Sequence, residues 1–449
     1  MRDFICSKFN KVAPSGIRKI NEKTIEMERA GKKIYHFEVG RPDFDTPKVI
    51  KDATIKSIEA GDVFYTSNFG IMPLREAVAE KLRDENNLDY SAKEILITAG
   101  ASEAIYDTYS VILDEGDEIL LPNPCWPNYV NIAHIMKANP IRYSLAEEND
   151  FQIDFDELEK LVTEKTKAMV IITPSNPVGS MLSEKTLEKL SDFAKKKDIL
   201  VIADEIYEQI VYGNKKHISI ASIDGMKERT ITINGFSKTY SMTGFRLAYI
   251  AAPEEFIRVL NIVHQHNTSC ATSFVQHAGI TALKEGREGA EEMVKEYKRR
   301  RDYIVERVNS IEGLSLNAPD GAFYAFINIK GLGVSSEEFC QYLLDEECVA
   351  IVPGTVFGSA GEGFVRFSYA SSYEDIVEGL NRVEKACKHF MNKIWMKKFL
   401  IILLNVLIFA AASILLSRTE KSGDLILRII YSVVLVKAGF NIEKALKNE

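Results

Sequence analysis

The sequence predicts an α/β fold: a mostly parallel sheet covered by helices on both faces, a smaller α+β domain, and a C-terminal hydrophobic helical hairpin. Three observations carry this expectation. Short, continuous apolar stretches alternate with segments of helical periodicity through the middle of the chain, as strands buried on both faces do. A charged helical stretch near Glu288 then leads to short strands of a different composition. Past Lys393 the chain turns to long apolar runs bounded by basic residues.

The elements follow in order. The N-terminus, "MRDFICSKFN", lacks the apolar centre of a secretory signal. "FEVGRPDFDTP", Phe37 to Pro47, is a loop punctuated by glycine and proline that joins the N-terminal arm to the sheet. "EILITAG" reads as a strand, "ASEAIYDTYSVIL" as the helix after it and "DEILLPNP" as the next strand. "AMVIIT", "ILVIAD", "TITIN" and "RLAYIAA" continue the set. "EGAEEMVKEYKRRRDYIVERV" is helical, and "GAFYAFINI" and "GFVRFSYA" are strands of the smaller domain. The expected division is 1–45 for the arm and part of the small domain, 46–289 for the large domain, 290–392 for the small domain and 393–449 for the tail.

Charge separates the tail from the rest. The 449 residues carry a net charge of −8, which argues against nucleic acid as a partner. From Lys393 onward nine Lys or Arg face four Asp or Glu, a net +5, so the body carries −13. "FLIILLNVLIFAAASILL", Phe399 to Leu416, is 18 residues with only Asn405 and Ser413 polar. As a helix it spans ~27 Å, close to a bilayer core of ~30 Å. "LILRIIYSVVLVKAGF" follows a polar turn and carries Arg428 and Lys437, so it either spans or lies in the interface. Lysines near both outer ends fit a hairpin with both ends cytoplasmic, anchoring a cytoplasmic body to a membrane. The alternative is a buried or amphipathic helical hairpin. Six scattered cysteines with no CxxC, and no His or Cys cluster at ligand spacing, indicate free thiols in a reducing cytosol and no metal.

The candidate chemistry lies at strand ends. Lys238 sits where "ITINGFSKTYSMTGFRLAYI" breaks between two apolar stretches. A buried lysine is either paired or put to use, since burial favours its neutral, nucleophilic form. Asp204 ends "ILVIAD", at the edge where parallel sheets bind ligands. Asn176 follows another strand, in "TPSNPVG". Gly100, Ala101 and Ser102 turn from a strand into a helix whose N-terminal amides can take a phosphate. Each has a bland reading: a helix cap, a tight turn, a packing residue. Together they ask for a ligand with a phosphate, an aromatic body and an amine-reactive carbonyl, and pyridoxal phosphate fits.

The chain also resembles a known family. "SKTYSMTGFRLAY", "TPSNPVG", "ADEIY", "NPCWPNY", "YTSNFGIMPLREAVAEKL", "FEVGRPDFDTP" and "GFVRFSYA" are similar, in order, to segments of the fold-type I, class I/II aminotransferases of the aspartate aminotransferase kind, over about residues 30 to 390. The resemblance implies a seven-stranded large domain that binds pyridoxal 5'-phosphate. Lys238 would hold the cofactor as a Schiff base and shuttle the substrate proton, Asp204 would pair with the ring nitrogen, and Tyr207 and Asn176 would bind its phenolic oxygen. Trp126 would stack on the ring. Gly100, Ala101, Ser102, Arg246 and Ser237 would hold the phosphate, with Tyr65 reaching it from the other subunit of a homodimer. Arg366 would clamp the substrate α-carboxylate, helped by the backbone at Gly40, with Trp126 and Asn176 beside the substrate.

The implied activity is transfer of an amino group from an L-amino acid to a 2-oxo acid by a ping-pong scheme, with glutamate and 2-oxoglutarate as one pair. A carbon–sulfur β-lyase on the same fold and a membrane-tethered, non-catalytic relative are the alternatives. One departure bears on the substrate: some family members carry a lysine for the distal carboxylate in the phosphate turn, and Ser102 stands there here. No arginine is assigned to that job from sequence.

Overall fold

The computed structural model describes residues 5–419, 429–430 and 432–437. Its strands in chain order are β1 (Tyr35–His36), β2 (Ile95–Thr98), β3 (Glu118–Asn123), β4 (Asn139–Ser144), β5 (Thr166–Ile172), β6 (Leu200–Asp204), β7 (Thr230–Gly235), β8 (Ala248–Ala251), β9 (Tyr324–Asn328), β10 (Val349–Ala350), β11 (Val352–Pro353) and β12 (Phe364–Ser368). Seven of them form one sheet in the order β2-β8-β7-β6-β5-β3-β4. β8 runs antiparallel to both neighbours, and the remaining pairs are parallel. Every residue of β2, β7 and β8 is buried, as continuous apolar strands require. β4 has no counterpart among the strands read from sequence. Its "NPIRYS" lacks an apolar run because it is an edge strand, only one of its residues being buried.

A three-stranded antiparallel sheet, β11-β12-β9, forms a second centre. Its core includes Phe323, Tyr324, Ile327, Val365 and Phe367, and the long helix Arg287–Asn309 adds Met293, Tyr297 and Ile304. The N-terminal arm joins it, since β1 pairs in parallel with β10, Tyr35 opposite Val349.

A long helix runs without a break from Tyr373 to Thr419. Its first turns are core, with Ile376, Leu380, Val383, Ala386 and Phe390 buried. Beyond them Trp395, Phe399, Leu400, Leu404 and Leu407 are all more than half exposed. The first apolar segment is therefore a continuation of the final body helix rather than a separate element beginning at residue 393. Of the second, 425–440, half lies outside the described residues, and the described half, 429–430 and 432–437, is helical.

Candidate active site

Strand register builds the floor of the site. Ile172, Asp204 and Ile233 are abreast on β5, β6 and β7, so the loops that leave these parallel strands open at one level. Asn176, Tyr207 and Lys238 ride on those loops. The opposite wall comes from the smaller sheet. Arg366 sits mid-strand on β12, with Phe326 opposite on β9 and Val352 on β11. A cavity of about 450 Å³ lies between the two sheets.

Lys238 Nζ donates to the Gly40 carbonyl at 2.6 Å and lies 5.8 Å from the centres of the Tyr207 and Phe323 rings. A side chain on Gly40 would put its Cβ 2.6 Å from the Tyr324 hydroxyl, so glycine is what lets this backbone approach. Desolvation, reinforced by Arg366 and Arg246 and partly opposed by Asp204, lowers the Lys238 ammonium to about 8. Near neutral pH that amine is far readier to act as nucleophile or base than a surface lysine.

Asp204 is buried. Its carboxylate accepts from the Tyr129 hydroxyl and, at 3.1 Å, from the Ile206 amide. Burial raises its pKa against those two bonds, so a cationic or N–H partner in the cavity would restore the charged form. The Tyr207 and Tyr324 hydroxyls share a hydrogen bond of 2.8 Å.

Arg366 is 1% exposed. It donates to Asn176 Oδ1 at 3.1 Å and to the Glu38 carbonyl at 2.5 Å, and it lies over the rings of Tyr324 and Phe357 at 4.6 and 4.9 Å. Its Nε is buried without a partner, and among the described residues no carboxylate lies within ion-pair distance of the guanidinium, the Glu38 charge acting on it only from farther away. Desolvation pulls its pKa down. A buried guanidinium with no counter-ion is an anion site.

The turn into the helix Ala101–Ile112 is a second anion site. Gly100 caps it at φ +98°, where side chains are strained, and a Cβ there would lie 2.8 Å from Arg246 Cζ. The first amides of the helix and the Arg246 guanidinium thus share one corner. Glu103 fastens the turn from behind. Its carboxylate accepts from the Ala99 amide and the Thr268 hydroxyl, and it meets His264 Nδ1 at 2.9 Å.

The cavity brings together Gly40, Ala101, Ser102, Trp126, Asn176, Asp204, Tyr207, Ser237, Lys238, Arg246 and Arg366. Gly100 borders it through Arg246. Tyr65 is not brought in: it is 89% exposed, beside the equally prominent Phe64. Sequence reasoning missed Tyr129, Tyr324, Arg41, Asn21 and Ile17, which also line the cavity. Tyr129 was within reach, since it falls one helical turn after Trp126, and the two rings meet edge to face at 5.8 Å. Tyr324 looks in sequence like any inward residue of "GAFYAFINI". Asn21 and Ile17 belong to the helix Gly16–Arg29, whose place over the cavity is a tertiary fact.

The donor set fits pyridoxal phosphate. The Gly100 turn with Arg246 suits the phosphate, buried Asp204 suits a protonated ring nitrogen, and the desolvated amine of Lys238 suits the aldehyde.

Residues 32–383 match the family Aminotransferase class I and II. The chain is 44% identical over 384 residues to an aspartate aminotransferase of Pyrococcus abyssi, covering 85% of this chain and 97% of the relative. It is 42% identical over 387 residues to aromatic-amino-acid aminotransferase 2 of Thermococcus litoralis, covering 86% and 98%. Among solved structures, the aspartate aminotransferase of Rhizobium meliloti superposes with a TM-score of 0.83 at 34% identity, covering 86% of this chain and 99% of that one.

Proposed function

The chain belongs to the class I and II aminotransferases, which depend on pyridoxal phosphate, and from that premise we propose that it moves an amino group between an L-amino acid and a 2-oxo acid by a ping-pong scheme, with glutamate and 2-oxoglutarate as one pair. The observation that carries the reading is Arg366, a buried guanidinium without a counter-ion in the same cavity as the Lys238 amine. Every amino acid and every 2-oxo acid presents a carboxylate to such a group.

The cofactor, when bound, supplies an electron sink for negative charge at the substrate Cα. The chain does the rest. Arg366 and Asn176 orient the substrate through its carboxylate. Lys238 takes the Cα proton and returns it, a task suited to an amine whose pKa has been brought near the working pH. Asp204, held by Tyr129, keeps the ring nitrogen protonated. Tyr207 and Asn176 donate to the phenolic oxygen, and Trp126 covers the ring. The amides of Ala101 and Ser102, with Arg246 and Ser237, hold the phosphate. The exposed Tyr65 is the residue one subunit offers to the phosphate of its partner in a homodimer, supported by the apolar surface of Val63, Phe64, Val259 and Ile262.

The tail is a membrane anchor in this reading, holding a cytoplasmic body to the bilayer. Among the described residues one helix, Tyr373–Ile414, is long and apolar enough to cross a membrane, and 6% of its apolar window is buried. The family match ends at residue 383, before that window begins.

The test is a screen of amino acids with 2-oxoglutarate, following glutamate formation, in the wild type and Arg366→Lys. The variant should raise KM for every donor alike. A loss confined to one donor class would move Arg366 to the side-chain pocket, and ammonia release without an oxo acid would favour a lyase.

A further inference from the structure

In the proposed reaction Asn176 and Tyr207 donate to the cofactor's phenolic oxygen, and each has to point a hydrogen at it. A neighbour orients Asn176: its Oδ1 accepts from Arg366 at 3.1 Å, which leaves its amide hydrogens for the cofactor. Tyr207 has one hydrogen on a rotating hydroxyl. Among the described residues that hydroxyl has one hydrogen-bond partner, the Tyr324 hydroxyl at 2.8 Å. Either oxygen of this pair can donate. A Tyr207 that gave its hydrogen to Tyr324 would turn only lone pairs toward the phenolic oxygen. With the cofactor bound, the bond therefore runs from Tyr324 to Tyr207.

The surroundings of Tyr324 hold that direction. The residue is fully buried. Strands β9 and β12 place it diagonally next to Arg366 on one face of the smaller sheet, and the guanidinium lies over its ring at 4.6 Å. Its ring meets that of Tyr207 at 79°, with centroids 5.8 Å apart. Its hydroxyl sits against Gly40, where a Cβ would come within 2.6 Å, so no side chain from that position competes for it. Burial raises the Tyr324 phenol and Arg366 opposes the rise, which leaves its hydrogen easier to share.

We infer that Tyr324 is a positioning residue of the reaction: its hydroxyl donates to Tyr207 and so aims the Tyr207 hydrogen at the cofactor's phenolic oxygen, while its ring supports the Arg366 guanidinium. The inference rests on the aminotransferase reading above and deepens it. The bond also ties the two sheets together, since Tyr207 follows β6 of the larger and Tyr324 opens β9 of the smaller. An accepted hydrogen bond strengthens the one donated, so Tyr207 draws more charge from the phenolic oxygen with Tyr324 than without it. Negative charge on that oxygen keeps a proton on the nitrogen that joins the ring to Lys238, and drawing the charge off lets the proton leave at lower pH.

The experiment titrates the visible cofactor absorbance of the full-length holoenzyme with pH, in the absence of substrate. Tyr324→Phe removes the hydroxyl and keeps the ring. Its midpoint should lie above that of wild type by about half a pH unit, the size of a weak hydrogen bond. In a Tyr207→Phe background the same change should move the midpoint no further, because Tyr324 acts through Tyr207. In the donor half-reaction Tyr324→Phe should lower kcat by about 3- to 10-fold and leave KM nearly unchanged. Tyr324→Leu also takes the ring from beneath Arg366 and should raise KM, and an unchanged KM there overturns the ring's part. A midpoint that stays or falls in Tyr324→Phe, or that shifts again in the Tyr207→Phe background, overturns the inference and leaves the aminotransferase reading intact as long as wild type transaminates. A wild type with no visible cofactor band sinks both.

Discussion

Lys238 shows how one residue acquires its chemistry from its surroundings. Its sequence context gives only a lysine in a break between two strands. The packing of Tyr207, Phe323, Arg366 and Arg246 around it lowers its pKa to about 8. Lys238→Ala should keep the fold and lose transamination by several orders of magnitude, since among the described residues no other lysine lines the cavity. A peptide map after borohydride reduction of the wild type should carry the cofactor's mass on Lys238, and an adduct on another lysine would end the assignment. The depressed pKa also has a sign for stability. Between about 8 and the ordinary ~10.4 of a lysine, the unfolded chain binds more protons than the apoprotein, so this residue makes apoprotein stability rise with pH there. Asp204 is the complementary case. Asp204→Asn removes the charge and keeps the size, and it should slow Cα deprotonation far more than it weakens substrate binding. A rate equal to wild type would remove Asp204 from the ring nitrogen.

At the scale of elements, the phosphate turn is only as well placed as the helix behind it. Glu103 and Asp107 on the helix Ala101–Ile112 enclose His264 of the helix Glu254–Asn267, at 2.9 and 3.7 Å. Burial pulls the imidazole pKa down, the two carboxylates outweigh it, and the result is about 9. A folded pKa above the unfolded ~6.5 means the clamp contributes fully below that value and is lost as pH rises through about 9. Wild type should therefore exceed His264→Gln in stability by at most about 3 kcal/mol at pH 6, with the gap closing by pH 10. Urea unfolding at both pH values measures it, and a gap independent of pH would mean that the imidazole is neutral. Elements also show what sequence could and could not give. β5, β6 and β7 were legible because strands buried on both faces are apolar throughout, and the motifs stood at their ends. β4 was not, because an edge strand needs no such run. The walls supplied by the helix Gly16–Arg29 and by β9 were invisible for another reason: Asn21, Ile17 and Tyr324 reach the cavity through contacts between residues far apart in the chain. Arg41 stood in a quoted loop, and nothing in the loop's residues says which way it faces.

For the whole molecule the question is how an enzyme body and an apolar helix share one chain. The relatives answer for the body: the Pyrococcus abyssi enzyme is matched over 97% of its own length, and the family span ends at residue 383. The body thus corresponds to nearly the whole of a related enzyme, and its own core closes at Phe390 with Phe339 and Tyr342 against it. Past that point the helix continues with its apolar side chains outward, an exposure that water disfavours and a bilayer does not. Asn405, one of two polar residues inside the run, donates to the Ile401 carbonyl at 2.7 Å on its own helix, which pairs an amide hydrogen without water. Because the body and the apolar segment share one unbroken helix, an anchor there would have its height above the membrane set by the last body turn. A dimer would carry two such anchors, which makes release slower than for either alone. The full chain should therefore sediment with membranes and stay there in high salt and in carbonate, since the attachment is apolar rather than electrostatic. A chain stopped after Phe390 should be soluble, dimeric and as active per site as the full chain, because among the described residues none beyond Arg366 lines the cavity. A full chain that stays soluble without detergent, or a shortened body that unfolds, would instead make the tail a packed part of the enzyme, its outward face covered by protein.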